Sequence, residues 1–130
     1  MERALALCTK MYVAMGAAQG KMMKEQSGVE EIDAKAAALP IKNITEGIGI
    51  ISEVIEESPQ KVVTRFGRCP LYEAAQAVGM DAENIEALCR AGGVRFVGTM
   101  FKQLNPNLNH RLRKFKSSAD DFCEEEIVLG

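Results

Sequence analysis

The chain has 130 residues, enough for one domain whose hydrophobic core needs no staple from disulfides or metal. Charged residues make up 26% of it, and a formal net charge of −2 gives no general attraction to nucleic acid or to an anionic membrane. Aromatic residues make up 5% and tryptophan is absent, which argues against a base-stacking surface. We therefore expect neither nucleic acid nor a membrane as a partner.

The cysteines and the first residues bear on the compartment. No apolar run approaches the roughly 18 residues that span a bilayer, and Glu2, Arg3 and Lys10 do not fit the pattern of a secretion signal. The cysteines are widely spaced and form no CxxC pair. We expect a cytoplasmic protein with reduced thiols.

Residues 1–40 are predicted to be helical. Apolar residues recur at three- and four-residue steps over residues 1–26, which is typical of an amphipathic helix. Small residues, including Gly16 and Gly20, leave one side thin enough for a second helix to approach. The methionine-rich stripe favours packing in the core or against a second copy, with the wall of an apolar ligand pocket as the alternative. A second helix is predicted over residues 29–39, ended by Pro40.

Residues 47–130 are predicted to hold a sheet with helices inserted in it. The β-branched residues 48–57 and the alternating residues 61–66 predict a first hairpin, with Val62, Thr64 and Phe66 on one face. Helices are then expected from Pro70, from the N-cap Asp81, and after the glycine pair at residues 92–93.

A second hairpin is predicted near the end of the chain. Residues 111–116 are basic, residues 122–129 begin with acidic side chains, and residues 117–121 suit a turn. Opposite charges facing each other across two strands contribute roughly 0.2–1 kcal/mol per pair, so the acidic strand accounts for the basic run more simply than nucleic acid does. The sequence thus predicts a single α+β domain over residues 1–130, a four-stranded antiparallel sheet with helices packed on one face.

The strongest candidate site lies where the strand at residues 61–66 leads into a helix. Cys69 stands there with Arg65, Arg68 and a helix N-terminus, all of which favour a thiolate nucleophile. Glu73, one helical turn further on, is the candidate base, with a role as partner of the helix dipole as the alternative. His110, the only histidine, falls in an asparagine-rich stretch that is expected to be a solvated loop.

Two further hypotheses concern ligands and metal. Arg65, Arg68 and Tyr72 are candidates for binding a small ligand, and the arginines are suited to a carboxylate. Their alternative is ordinary pairing with glutamates on the neighbouring strand. Convergence of three thiols, completed by the histidine or by Glu124, would suit zinc; the alternative is that these cysteines are small buried apolar residues. The candidate metal ligands are Cys69, Cys89, Cys123 and His110.

Several short motifs carry a family resemblance. They are Leu-Cys-Arg-Ala-Gly-Gly at residues 88–93 with Gly98 beyond, Asp-Asp-Phe-Cys at 120–123, and Arg-Cys-Pro-Leu-Tyr-Glu at 68–73. With them, residues 69–126 resemble the 4-vinyl-reductase-type domains and the L-2-amino-thiazoline-4-carboxylic acid hydrolases, and the third motif is closer to the hydrolases. The resemblance implies a fold related to vesicle-tethering subunits of the TRAPP type, commonly a homodimer. It also implies a small hydrophobic ligand or a metal, or, for the hydrolases, ring opening by an activated water.

The sequence therefore predicts a homodimeric domain that binds a small organic ligand. The first alternative is a cysteine-dependent hydrolase of a thiazoline- or amide-like molecule. The second is a zinc-stabilised interaction module. Phosphate loops, dinucleotide fingerprints, HExxH and GxSxG are all absent from the sequence, which excludes several common enzyme classes.

Overall fold

A computed structural model of the chain describes residues 2–28 and 31–130. Met1, Val29 and Glu30, which the sequence assigns to its first two helices, lie outside the described residues. The helices and strands follow the chain in the order α1 Glu2–Ser27, α2 Ala34–Gly47, β1 Ser52–Glu57, β2 Lys61–Phe66, α3 Pro70–Ala77, α4 Ala82–Ala91, α5 Gly93–Leu104, β3 Leu108–Lys114 and β4 Cys123–Leu129.

The strands form one antiparallel sheet in the order β1-β2-β4-β3. Both predicted hairpins are confirmed, and pairing of β2 with β4 joins them into a continuous sheet. The α+β class is confirmed as well. Because β2 and β4 are the central strands, side chains at their midpoints are flanked by another strand on each side.

The helices α2 and α5 pack on one face of this sheet, which we call the inner face. Val62, Thr64 and Phe66 all point to it, as their alternation predicts, and they lie opposite Ile127, Glu125 and Cys123 of β4. Most of these residues join the core that the helices complete. The core residues are Ile32, Ala34, Ala37, Ile41, Val62, Phe66, Met100, Phe101, Leu104, Leu108 and Ile127.

The outer face of the sheet carries the predicted pairing of basic and acidic strands. Arg111 Nε lies 2.9 Å from Glu126 Oε1, and Arg113 Nε lies 3.5 Å from Glu124 Oε2. Arg65 also pairs with Glu124, at 3.2 Å, whereas the alternative raised from the sequence was a glutamate of β1. Arg65 lies opposite Glu53 of β1 on one side and Glu124 of β4 on the other, because β2 lies between these two strands.

Pro40 does not end the second helix, contrary to the prediction. It lies inside α2, which continues to Gly47. A proline in a helix removes one backbone hydrogen bond, and here that loss is outweighed by the N-cap at Asp33, whose Oδ1 accepts from the N–H of Ala36 at 2.8 Å, and by burial of Ile41 beyond the proline. Because the helix runs on, β1 begins at Ser52, several residues later than predicted.

The thin side of α1 is confirmed. A Cβ on Gly16 would lie 2.4 Å from the backbone oxygen of Phe96, and one on Gly20 would lie 2.6 Å from that of Met100. The two glycines therefore let α1 and α5 touch backbone to backbone. On another side of α1, Met11 is exposed together with other apolar residues; that this surface contacts a second copy stays a prediction. Among the residues described, no helix is both long and apolar enough to cross a membrane.

Candidate functional site

His110 lies in the interior, not in a solvated loop. Strand β3 begins at Leu108, and the turn before it is confined to Asn105–Asn107, where the N–H of Leu108 donates to the carbonyl of Asn105 at 2.9 Å. Leu108, His110 and Leu112 alternate toward the inner face, so the histidine side chain is only 2% exposed. The asparagines misled the sequence analysis because they are turn formers placed directly before a strand.

The imidazole of His110 faces a carboxylate. Its Nε2 lies 3.4 Å from Glu125 Oε2 of the neighbouring strand, and its ring packs 5.7 Å, centroid to centroid, from the ring of Phe101. Within the described part of the chain, Nε2 is buried and makes no hydrogen bond. Buried polar atoms in folded proteins almost always have a hydrogen-bond partner, so this nitrogen and its carboxylate neighbour are suited to share a third polar group, such as a water or a ligand.

Thr64 extends this polar pair into a row. It lies directly opposite Glu125 across β2 and β4, and His110 lies on β3 at the other side of Glu125. The three side chains lie on three adjacent strands of the inner face, beside the apolar residues of the core. We call them the polar row.

The polar row opens into a cavity of about 240 Å³ between α2 and the inner face. All three of its residues line the cavity. The other lining residues are mostly apolar, with Lys35, Lys42, Ser52 and Glu57 as the polar ones. We call it the sheet cavity. Its other lining residues are Lys35, Ala38, Leu39, Ile41, Lys42, Ser52, Val54, Glu57, Phe66, Phe101 and Ile127.

This arrangement has the parts of a proton-transfer site. An imidazole beside a carboxylate takes a proton from a bound water or substrate, and the carboxylate stabilises the imidazolium that forms. The surrounding apolar walls strengthen that electrostatic interaction by excluding water. Thr64 adds a hydroxyl that donates or accepts one hydrogen bond.

The three candidate cysteines do lie near one another, beside the end of β2. Cys69 is the N-cap residue of α3, Cys123 pairs with Phe66 across the sheet, and Cys89 lies on α4. Burial, followed by the nearby thiols of Cys69 and Cys123, raises the pKa of Cys89 to about 11. Burial also raises the pKa of Cys123. Both shifts favour the neutral thiol and oppose reactivity.

We expect Cys89 to react about 100-fold more slowly with iodoacetamide at pH 8 than a thiol of ordinary pKa, because only the thiolate is nucleophilic. Timed alkylation followed by mass spectrometry of the peptides measures this. The same protein unfolded in urea is the control, and Cys89 should react there at the ordinary rate. Equal rates in folded and unfolded protein would contradict the burial of this thiol.

The remaining candidates do not share one surface. Arg65 lies on the outer face with Glu124. Arg68 Nε donates to both carboxylate oxygens of Glu73 at 3.1 Å, so the candidate base is already engaged by an arginine. Tyr72 is buried and its hydroxyl has no hydrogen-bond partner among the described residues. That Cys69 and Glu73 act together, and that these arginines and the tyrosine bind a ligand, stay predictions.

The predicted zinc ligands form no metal-holding group among the residues that the structure describes. Within residues 2–28 and 31–130, no group of three or more histidine, cysteine, aspartate or glutamate side chains is arranged to hold a metal ion. His110 is paired with Glu125 on the inner face, and no hydrogen bond or ion pair in that part of the chain joins it to Cys69.

Sequence reasoning missed Glu125 as a site residue. It stands in the run Glu124–Glu126, which reads as one acidic strand pairing with one basic strand. Alternation along the strand separates it from its neighbours, because Glu124 and Glu126 point to the outer face and Glu125 to the inner one. The Leu-Asn-His-Arg-Leu pattern of residues 108–112 carried the same signal for His110.

Comparison with known families shows which family the sequence belongs to. A sequence model described as L-2-amino-thiazoline-4-carboxylic acid hydrolase matches residues 1–121. The chain belongs to this family. The match confirms the hydrolase half of the predicted resemblance; it includes the N-terminal helices and strands β1 to β3 and ends before β4.

The fold has a counterpart among solved structures. It is similar to a trafficking protein particle complex subunit 3 from Naegleria fowleri, in a structure where that protein is covalently bound to palmitic acid. The TM-score is 0.51 at 15% identity, with 97% of this chain and 82% of the other covered. This likeness confirms the predicted relation to TRAPP-type folds. No curated protein sequence matches the chain.

Proposed function

We propose that this member of the thiazoline hydrolase family hydrolyses a small thiazoline carboxylate of the kind in the family's description, and that it does so in the sheet cavity. The single observation that supports this is the buried His110–Glu125 pair, which lines the sheet cavity. The Nε2 atom of its imidazole makes no hydrogen bond within the described residues. An unsatisfied buried imidazole has a cost to folding that a bound water or substrate removes.

The proposed reaction needs one proton acceptor and one proton donor. His110 takes a proton from water as its oxygen attacks the ring carbon that lies between sulfur and nitrogen. The bond from that carbon to sulfur then breaks, and the imidazolium returns the proton to the leaving sulfur. The second proton of the water moves from the new C–OH to the former ring nitrogen, which leaves a C=O. One water is consumed, and the product is a ring-opened carbamoyl compound with a free thiol. Glu125 stabilises the imidazolium between the two steps.

The size of the sheet cavity supports a small substrate. A volume of about 240 Å³ is below the roughly 300–1,000 Å³ of pockets for drug-sized ligands. Phe66, Phe101 and Ile127 supply apolar wall for a flat heterocycle, while the polar row supplies its hydrogen-bonding side. These features support binding of a small organic molecule even without chemistry.

Binding without turnover is the second candidate function. It is favoured by the apolar lining of the cavity and, by analogy of fold alone, by the palmitic acid carried by the Naegleria protein. We also propose that the protein works in the cytoplasm, which its four free cysteines support.

Release of a free thiol distinguishes the two functions. We expect untagged protein to convert L-2-amino-thiazoline-4-carboxylic acid to a thiol product, detected by mass spectrometry and by a thiol reagent added after the protein is removed. Protein inactivated by heat is the control for spontaneous ring opening. Saturable binding of the compound with no thiol above that control would contradict hydrolysis and leave binding as the function.

A further inference from the structure

Two lysines on one side of α2 line the sheet cavity, and only one of them is paired with a carboxylate. Lys35 and Lys42 are seven residues apart, which is about two helical turns and places them on the same face. Lys35 Nζ lies 3.4 Å from Glu57 Oε1, so its charge is already paired. Lys42 has neither an ion pair nor a side-chain hydrogen bond among residues 2–28 and 31–130, and it is exposed.

We propose that Lys42 is the residue that recognises the acid group of the substrate, by pairing its ammonium with a single carboxylate at the mouth of the sheet cavity. This proposal rests on the proposed function. The polar row would bind the ring of the substrate, and Lys42 would bind the carboxylate at its other end. The cavity is small enough that one compact molecule would contact both the polar row and the rim.

The charges around the cavity favour a monoanion. Its lining residues include two carboxylates: Glu57 is paired with Lys35, and Glu125 faces His110, which carries a charge only when it is protonated. Lys42 is therefore the ammonium of the lining that no carboxylate of the described residues pairs with. A second negative charge on a ligand, as on a phosphate ester, would meet no further unpaired cation and would be repelled by the carboxylates. The class of ligand is thus a small apolar or heterocyclic molecule with one carboxylate.

Lys35 provides a matched control because it has the same side chain on the same helix face. Both lysines are exposed helical positions, Lys35 in the first turn of α2 and Lys42 in its interior. Glutamine has a helix propensity similar to that of lysine, so Lys42→Gln and Lys35→Gln are both expected to fold. Both variants remove one positive charge from the cavity lining, but only Lys42→Gln removes an ammonium that is not already paired with a carboxylate of the described residues.

The experiment measures binding by calorimetry for the wild type and both variants, with L-2-amino-thiazoline-4-carboxylic acid and with its carboxamide. The wild type is expected to prefer the acid, Lys42→Gln to bind the acid about 10-fold more weakly and the carboxamide unchanged, and Lys35→Gln to weaken the acid clearly less than Lys42→Gln does, with the carboxamide unchanged. KM should follow the same pattern with kcat nearly constant.

Several results would overturn this assignment. If Lys42→Gln binds the acid as tightly as the wild type does, or if the wild type binds acid and carboxamide equally, Lys42 does not recognise the carboxylate, and hydrolysis in the cavity remains open to its own test. If the acid binds in a Lys42-dependent way but no thiol is ever released, the proposed hydrolysis fails while the assignment of Lys42 stands. Failure of the wild type to bind either compound would overturn both.

Discussion

The variant His110→Gln is expected to lose hydrolysis of L-2-amino-thiazoline-4-carboxylic acid by about 10²–10⁴-fold, the usual worth of a general acid–base group. Glutamine keeps a polar side chain of similar reach but cannot carry a proton between water and sulfur. The loss should fall on kcat, because the apolar walls and the rim that bind the ligand are unchanged. Steady-state rates of thiol release measure it.

The matched comparison is Cys69→Ser, which removes the candidate nucleophile of the alternative that the sequence analysis kept open. It is expected to keep the activity of the wild type to within a few-fold, because no hydrogen bond or ion pair in the described part of the chain connects Cys69 with the polar row. Thermal unfolding of both variants checks that the fold is intact. An inactive Cys69→Ser beside an active His110→Gln would reverse the assignment and restore cysteine catalysis.

The variant Gly16→Ala is expected to lower the free energy of unfolding by about 1–3 kcal/mol, the usual cost of overpacking. Its new Cβ would stand 2.4 Å from the backbone oxygen of Phe96, and a backbone atom cannot move away as the end of a side chain can. The helices α1 and α5 would have to separate along their whole contact. The midpoint of urea unfolding, at unchanged slope, measures the loss.

Gly98→Ala on α5 is the control for this prediction. A Cβ there meets no described atom within 4 Å, so alanine should stabilise the protein by up to about 1 kcal/mol through its higher helix propensity. The two substitutions make the same chemical change in packed helices but should move the midpoint in opposite directions. If both stabilise the protein, the backbone contact between α1 and α5 is not as close as described.

Local signals in the sequence were sufficient for most of the fold. Alternation predicted which side chains of β2 face inward, Asp81 was correctly identified as the cap of α4, and the opposed charges of the last hairpin predicted the outer-face ion pairs. Each of these depends on neighbours in sequence or on one hairpin. The end of α2 was wrong because burial of Ile41 outweighs the cost of Pro40, and burial is decided by tertiary packing that the local sequence does not contain.

The candidate site was harder to predict because it is assembled from three strands. The sheet order puts β4 between β2 and β3, so Glu125 acquires Thr64 on one side and His110 on the other. No spacing in the sequence relates these three residues. Convergence of the cysteines on a metal stays a prediction, and burial raises the pKa of Cys89 and Cys123, the reverse of what a nucleophile needs.

The polar row lowers the stability of the folded domain. A buried imidazole without a hydrogen-bond partner in the described residues occupies a position where an apolar side chain would pack against Phe101. Local violations of good packing chemistry concentrate at functional sites. This is the physical reason for assigning the function to the inner face and not to the outer one, where the charged side chains described here satisfy one another.

The most direct test follows the ring signals of the single histidine by NMR while untagged protein is titrated with L-2-amino-thiazoline-4-carboxylic acid. Because the chain has one histidine, its imidazole resonances need no assignment. We predict a saturable shift of those resonances, at the same concentration that saturates binding measured by calorimetry. Unchanged histidine resonances at ligand saturation would contradict a substrate site at His110 and Glu125.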